Sequence, residues 1–181
     1  MKKFIGYYKN IVSHDLCDKI MDYCDNVKPL KPSTYSNHKG KVDSSNERVK
    51  MDDGTFRDGE QYYNEIKECF MSALTQYCQK HKDVVCQRHT DFRLNKYSEG
   101  GFMSRHIDNI HHSHGQQYGF PQLTSLLMLN DNYEGGDFIV ADNEFKTKKG
   151  SAIVFPSNFM FPHEVKKIEK GTRYSIVTWL M

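Results

Sequence analysis

Between Ser13 and Val27 the apolar residues Leu16, Ile20, Tyr23, Cys24 and Val27 recur at the spacing of one helix face. Ser13 is placed to cap that helix, with Asp15 in its first turn. Lys28-Pro29 ends it, because the residue before a proline is driven out of helical geometry. Residues 31 to 58 lose the pattern: Ser-Ser-Asn at 44 to 46 and Asp-Asp-Gly at 52 to 54 read as loop, with a short strand around Arg48-Val49-Lys50. A second stripe, Ile66, Phe70, Ala73, Leu74 and Tyr77, predicts a helix over about 59 to 81. From residue 88 the period changes to two. Phe92 to Tyr97, Gly101 to Ile107, Leu123 to Leu129, Asp137 to Ala141, Ser151 to Phe155 and Thr172 to Leu180 predict strands, and Phe161 to Val165 adds a short one. Many short strands divided by turn signals suggest an antiparallel double-sheet jelly roll. The expected class is α+β, with the helices packed on one sheet and the other mouth of the barrel open.

At 181 residues, without internal repeat, interdomain linker or low-complexity segment, the chain reads as a single domain. Residues 1–87 supply helical support and a lid loop, and residues 88–181 the jelly-roll core. An apolar content of 38% with 13% aromatics fits a globular protein. A mean hydropathy of −0.73 leaves no lipid-spanning run, and no membrane association is expected. The segment from Met1 to Lys9 has a basic start but no adequate apolar core for a signal peptide, so it reads as a first strand and the expected location is cytoplasmic. The five cysteines, 17, 24, 69, 78 and 86, lack metal-type spacing and are expected as reduced, partly buried thiols. A net charge of +2 is too mild to point to nucleic acid.

The candidate chemistry lies in His106-Ile107-Asp108 and a distal Phe161-Pro162-His163-Glu164-Val165. On a strand, residues i and i+2 share a face, so His106 and Asp108 offer an imidazole and a carboxylate to one metal, and His163 completes the set from a distant strand. Two histidines and a carboxylate on one side of a metal leave open positions opposite, the facial arrangement of non-haem Fe(II) oxygenases. Nine histidines and fourteen aspartates in 181 residues predict about 0.7 His-x-Asp triplets by chance, and the chain has three. His81-Lys82-Asp83 ends a helical stretch, where positions two apart diverge by about 200°. His89-Thr90-Asp91 precedes a strand and is the closer rival. Context favours His106, which follows Tyr97-Ser98-Glu99-Gly100 and precedes a hydrophobic strand, a Gly-Gly turn and His163.

In order along the chain, Tyr97-x-x-Gly100, His106-x-Asp108, Thr124 to Asn130, Gly135-Gly136-Asp137-Phe138, Gly150 to Pro156, His163-Glu164-Val165 and Gly171-Thr172-Arg173-Tyr174 form one series. Over residues 88 to 181 that series resembles the prolyl 4-hydroxylase-like iron- and 2-oxoglutarate-dependent dioxygenases. The resemblance implies a cupin-like double-stranded β-helix with supporting N-terminal helices. It also implies Fe(II) on His106, Asp108 and His163, with 2-oxoglutarate as cosubstrate, O2, and ascorbate to keep the iron reduced. Arg173 brings a permanent charge and a planar fork suited to the distal carboxylate of 2-oxoglutarate, with Ser175 on the same strand face as a second donor. Tyr97 corresponds to a tyrosine that often contacts the cosubstrate; a core aromatic is the alternative. Met128 departs from the pattern, standing where many relatives carry a tyrosine, and thioether sulfur is a poor partner for a carboxylate. Thr124 is then a candidate helper for the anchor. Asp108 separates this chain from the related halogenases, which lack that carboxylate.

What the resemblance implies is hydroxylation of an aliphatic C–H, of a peptidyl prolyl or other amino-acid residue, with release of succinate and CO2. The partner would be a peptide, a protein or a small molecule; oligomeric state is not legible. A free amino acid or small metabolite is the alternative substrate. Nucleobase demethylation is disfavoured because the position six residues after Arg173 is Trp179 where those enzymes carry a second arginine. A non-catalytic cupin-like binding or sensing module is disfavoured by the presence of all three ligands together with Arg173. Asn46-Glu47-Arg48 is a candidate lid or a solvated turn, and His111, His112 and His114 form a polar insert bordering the candidate entrance.

Overall fold

The computed structural model describes residues 1–36, 42–43, 47–109 and 120–181. After a 3-10 turn at Lys2–Phe4, the N-terminal part runs β1 (Gly6–Tyr8), α1 (His14–Asn26), β2 (Lys31–Pro32), β3 (Tyr35–Ser36), β4 (Val42–Asp43), β5 (Val49–Lys50), β6 (Asp52–Phe56) and α2 (Tyr63–Lys80). There follow β7 (Phe92–Tyr97), β8 (Phe102–His106), β9 (Leu123–Met128), β10 (Glu134–Gly135), β11 (Phe138–Val140) and β12 (Asn143–Phe145). The chain closes with β13 (Ala152–Pro156), β14 (His163–Val165), β15 (Ile168–Lys170) and β16 (Arg173–Leu180).

Two antiparallel sheets hold the molecule together: a seven-stranded one in the order β1-β13-β9-β16-β7-β6-β2 and a five-stranded one in the order β12-β11-β14-β8-β5. Their arrangement is consistent with a jelly roll. The central strands of the large sheet are apolar on both faces because both faces are covered. Phe92, Leu94, Leu127, Val154 and Ile176 point outward into a cluster with Ile66, Phe70 and Tyr77 of α2 and Ile20 of α1. The alternate residues Tyr97, Leu126, Met128, Phe155, Val177 and Trp179 point inward and meet Phe138, Val140 and Val165 of the small sheet. Period two thus sorts each strand between two cores. Phe70 stacks on Phe92 at 5.2 Å between ring centroids, and each such buried ring contributes about 1.5–3 kcal/mol.

Ser13 caps α1 as its position suggests, its Oγ accepting the Leu16 amide at 3.2 Å. The second helix begins at Tyr63, later than its apolar stripe implies, because Gly59 and Tyr62 adopt φ of 84° and 67° and turn the chain left-handed first. Asp52-Asp53-Gly54, loop-like in sequence, lies instead in β6, paired along its whole length with β7. The open edge of β7 supplies hydrogen-bond partners that override weak strand propensity. Gly54 lets the Leu30 side chain pack close, since a Cβ there would stand 2.7 Å from Leu30 Cδ2 and push it aside. The N-terminal part therefore contributes strands to both sheets as well as two helices. Gly135 and Gly136 turn the chain into β11 at φ of 72° and 64°, and β11 in turn pairs Val140 with His163. No helix among the described residues is long and apolar enough to cross a membrane.

Candidate metal centre and anion pocket

His106 ends β8, His163 opens β14, and the two are register partners across the antiparallel pair. Asp108 follows in the connection after β8, where the Asn109 amide donates to Ser157 O at 3.0 Å and Asn109 Nδ2 to Pro121 O at 2.7 Å. One ligand atom from each of His106, Asp108 and His163 lies within 4.8 Å of the others, the one such group of three among the described residues. His106 Nε2 is 3.5 Å from Asp108 Oδ1, and His163 Nε2 is 3.3 Å from Asp108 Oδ2.

The backbone fixes which ring nitrogen faces this point. His106 Nδ1 is 2.8 Å from Ser104 O, and His163 Nδ1 is 3.2 Å from Phe161 O. A carbonyl only accepts, so each Nδ1 carries the proton and each Nε2 lone pair is left for a metal. Phe155 holds the His163 ring edge-on at 4.9 Å between centroids. Asp108 is 5% exposed, and its Oδ2 accepts a hydrogen bond from Thr124 Oγ1 at 2.7 Å. Thr124 Oγ1 lies 2.9 Å from Ser157 Oγ, so the carboxylate is oriented by a two-hydroxyl relay. Burial pushes the Asp108 carboxyl up, but attraction and hydrogen bonding from His163 and His106 in their protonated form, whose Nε2 protons a metal would displace, outweigh it and hold the group well below the usual carboxylate range. Two imidazole nitrogens and an ionised carboxylate converging from one side fit Fe(II) with positions open opposite.

Arg173 is fully buried. Its Nη1 donates to Ser175 Oγ at 3.1 Å and its Nη2 to Met128 Sδ at 3.3 Å, while Nε has no acceptor. The guanidinium carbon sits 5.3 Å from the Tyr97 ring centroid and 6.0 Å from that of Phe138. No carboxylate pairs with it among the described residues. A guanidinium enclosed without a counter-charge is costly, so this is a site that an anion would complete. Burial raises the Tyr97 phenol, which therefore stays a donor at neutral pH.

A cavity of about 50 Å³ is walled by His106, Asp108 and His163 together with Tyr97, Asn95 and Arg93. Arg173 and Ser175 do not line it, but their register partners Tyr97 and Asn95 do, and the Arg173 guanidinium lies against the rings of Tyr97 and Phe138, both part of the wall. Thr124, considered from sequence as a helper for Arg173, stands at the metal carboxylate instead. Ser157 and Arg93 carry no sequence signal; their relevance comes from contacts alone. The rival triplets gather no third ligand among the described residues: His89 stacks on Phe92 at 5.2 Å, and His81 closes α2. Glu47 and Arg48 form an exposed turn, whereas Asn46, His111, His112 and His114 lie outside the described residues.

Residues 92–181 match the family model described as the 2OG-Fe(II) oxygenase superfamily. The chain belongs to that superfamily. A PKHD-type hydroxylase of Stenotrophomonas maltophilia is 28% identical over 123 residues, covering 64% of this chain and 54% of its own length. Human prolyl 3-hydroxylase 2 is 38% identical over 69 residues, 34% of this chain and 10% of that protein. The chain thus spans about half the length of the bacterial relative, and far less of the human one. Among solved structures, a Trichoplax adhaerens prolyl hydroxylase in complex with a hypoxia-inducible-factor peptide fragment superposes with a TM-score of 0.76 at 20% identity, over 99% of this chain and 84% of that one. A Pseudomonas putida prolyl-4-hydroxylase gives 0.68 at 17%, over 98% and 91%. These likenesses establish the oxygenase fold, and membership of the family implies Fe(II), 2-oxoglutarate and O2.

Proposed function

We propose that the protein is an Fe(II)- and 2-oxoglutarate-dependent dioxygenase that hydroxylates an aliphatic C–H of a peptidyl prolyl or other amino-acid residue. The observation that carries the reading is the pairing of a preset His106/Asp108/His163 triad with a buried, anion-seeking Arg173. Iron, when bound, supplies the oxygen chemistry. One oxygen atom of O2 enters the substrate hydroxyl and the other enters succinate; decarboxylation of 2-oxoglutarate and the C–H bond each provide two of the four electrons.

The chain's own residues do the holding. His106 and His163 present Nε2 because Ser104 O and Phe161 O occupy Nδ1, and Thr124 steadies the carboxylate of Asp108. Arg173 and Ser175 would take the distal carboxylate of 2-oxoglutarate, and Tyr97, which lines the cavity and lies against Arg173, would guide it. Met128 contributes only a weak sulfur acceptor to Arg173, so the anchor rests on the arginine fork and Ser175. Ascorbate would serve to return oxidised iron to the ferrous state. Residues 1–181 act in this reading as one catalytic domain, the helices bracing the large sheet.

Anaerobic Fe(II) titration with 2-oxoglutarate tests the assignment through the weak visible charge-transfer band of a bidentate complex. The band is expected in wild type, absent in His106→Ala and weakened in Arg173→Ala. Wild-type protein that binds iron but shows no band refutes the cosubstrate.

A further inference from the structure

β7 carries three inward-facing residues, Arg93, Asn95 and Tyr97, opposite Val177, Ser175 and Arg173 of β16. All three β7 residues line the cavity that the metal triad lines. Tyr97 lies in register with Arg173 at one end of this row. Arg93 lies four residues along the strand, with its Cα roughly 13 Å from that of Tyr97, and its own bonds run to Asp53 and Ser33 and not to the Arg173 anchor. Its partner Val177 also pairs with Leu126, which stands one inward position from Thr124 and hence from Asp108. Arg93 is therefore level with the metal ligands, where the substrate would meet them.

Its bonding is incomplete in a telling way. Nη2 lies 3.2 Å from Asp53 Oδ2 and donates to Ser33 Oγ at 2.9 Å, whereas the enclosed Nε has no acceptor. Asp53 cancels the charge and leaves a spare N–H. A buried donor without an acceptor is unfavourable, and a ligand oxygen would relieve it. A carboxylate is a poor candidate, because it would bring a second negative charge beside Asp53. A neutral amide carbonyl fits. Met51 and Met103 form part of the same wall, and their flexible thioether chains can give way to admit a chain segment to Nε.

We propose that Arg93 is a specificity-determining residue that donates its Nε–H to a main-chain carbonyl of a peptide substrate, with Asp53 turning away free carboxylates. The proposal rests on the hydroxylase reading above and narrows its substrate to peptides over free amino acids.

The probes are a capped prolyl tripeptide, acetylated and amidated, the same peptide with a free carboxylate, and L-proline. Succinate release is measured for wild type, Arg93→Met, Arg93→Lys and Asp53→Asn, and the iron/2-oxoglutarate band is recorded for each. With the band present, wild type should respond to the capped peptide and not to L-proline. Arg93→Met should raise KM for the capped peptide about tenfold, the loss of one hydrogen bond. Arg93→Lys should recover part of that loss. Asp53→Asn should shift the kcat/KM ratio toward the free-carboxylate peptide about tenfold, which a merely structural role for the pair would not do. The proposal is overturned by an unchanged KM in Arg93→Met, by an unmoved ratio in Asp53→Asn, or by a wild type that shows the band but answers only L-proline or no probe. Absence of the band in wild type instead removes the hydroxylase reading, and this inference falls with it.

Discussion

Replacing Thr124 by Val keeps the shape of the side chain and deletes the hydroxyl that orients Asp108. Thr124 is 1% exposed and Asp108 5%, so water cannot take over the lost contact. The bond is 2.7 Å long and ends on a charged acceptor, a class worth about 1.5–3 kcal/mol. Losing an orienting contact to a metal ligand typically weakens metal binding about 10–100-fold, or about 1.4–2.7 kcal/mol. The two routes agree near 2 kcal/mol, so Thr124→Val should bind Fe(II) about 30-fold more weakly in an anaerobic competition titration. Thr124→Ser, which keeps the hydroxyl, should stay within a few-fold of wild type. Thr124→Val within about twofold of wild type, with Thr124→Ser equal to it, would show that the hydroxyl does not position the carboxylate.

Arg173→Met should lose 2-oxoglutarate binding by at least about 100-fold while leaving metal-free melting unchanged or higher, since it exchanges an unpaired buried charge for an apolar chain of similar length; calorimetry and thermal melts read the two effects. Phe70→Ala removes a ring stacked on Phe92 between α2 and the large sheet and should cost about 3–5 kcal/mol in urea unfolding. Lys28 Nζ lies 2.5 Å from Glu60 Oε2, and this hydrogen bond is the main cause holding the Glu60 carboxyl below its usual value. Its stabilisation is present above the unfolded carboxylate pKa of about 4.3 and lost as pH falls through the lower folded value, so Lys28→Met should flatten the acid limb of the stability profile.

Most of the strands that carry the candidate site were legible in the sequence, and so were His106, Asp108 and His163, the three residues that converge there. Both follow from local rules. Period two needs only neighbours along the chain, and a histidine two residues from an aspartate at a strand end is close to it in any fold. The cap of α1 was legible for the same reason, Ser13 and Leu16 being three residues apart. What the tertiary structure decided depends on partners that the local pattern does not specify. Asp52-Asp53-Gly54 became a strand because β7 offered an edge, some forty residues further along the chain. Thr124 moved from a supposed cosubstrate contact to the metal carboxylate because β9 places it beside Asp108 and Ser157. Arg93 looked like any polar residue on an alternating strand until pairing with Val177 turned it into the cavity and Asp53 matched its charge. Charge cancellation and enclosure are properties of a neighbourhood, and only the folded sheets create that neighbourhood.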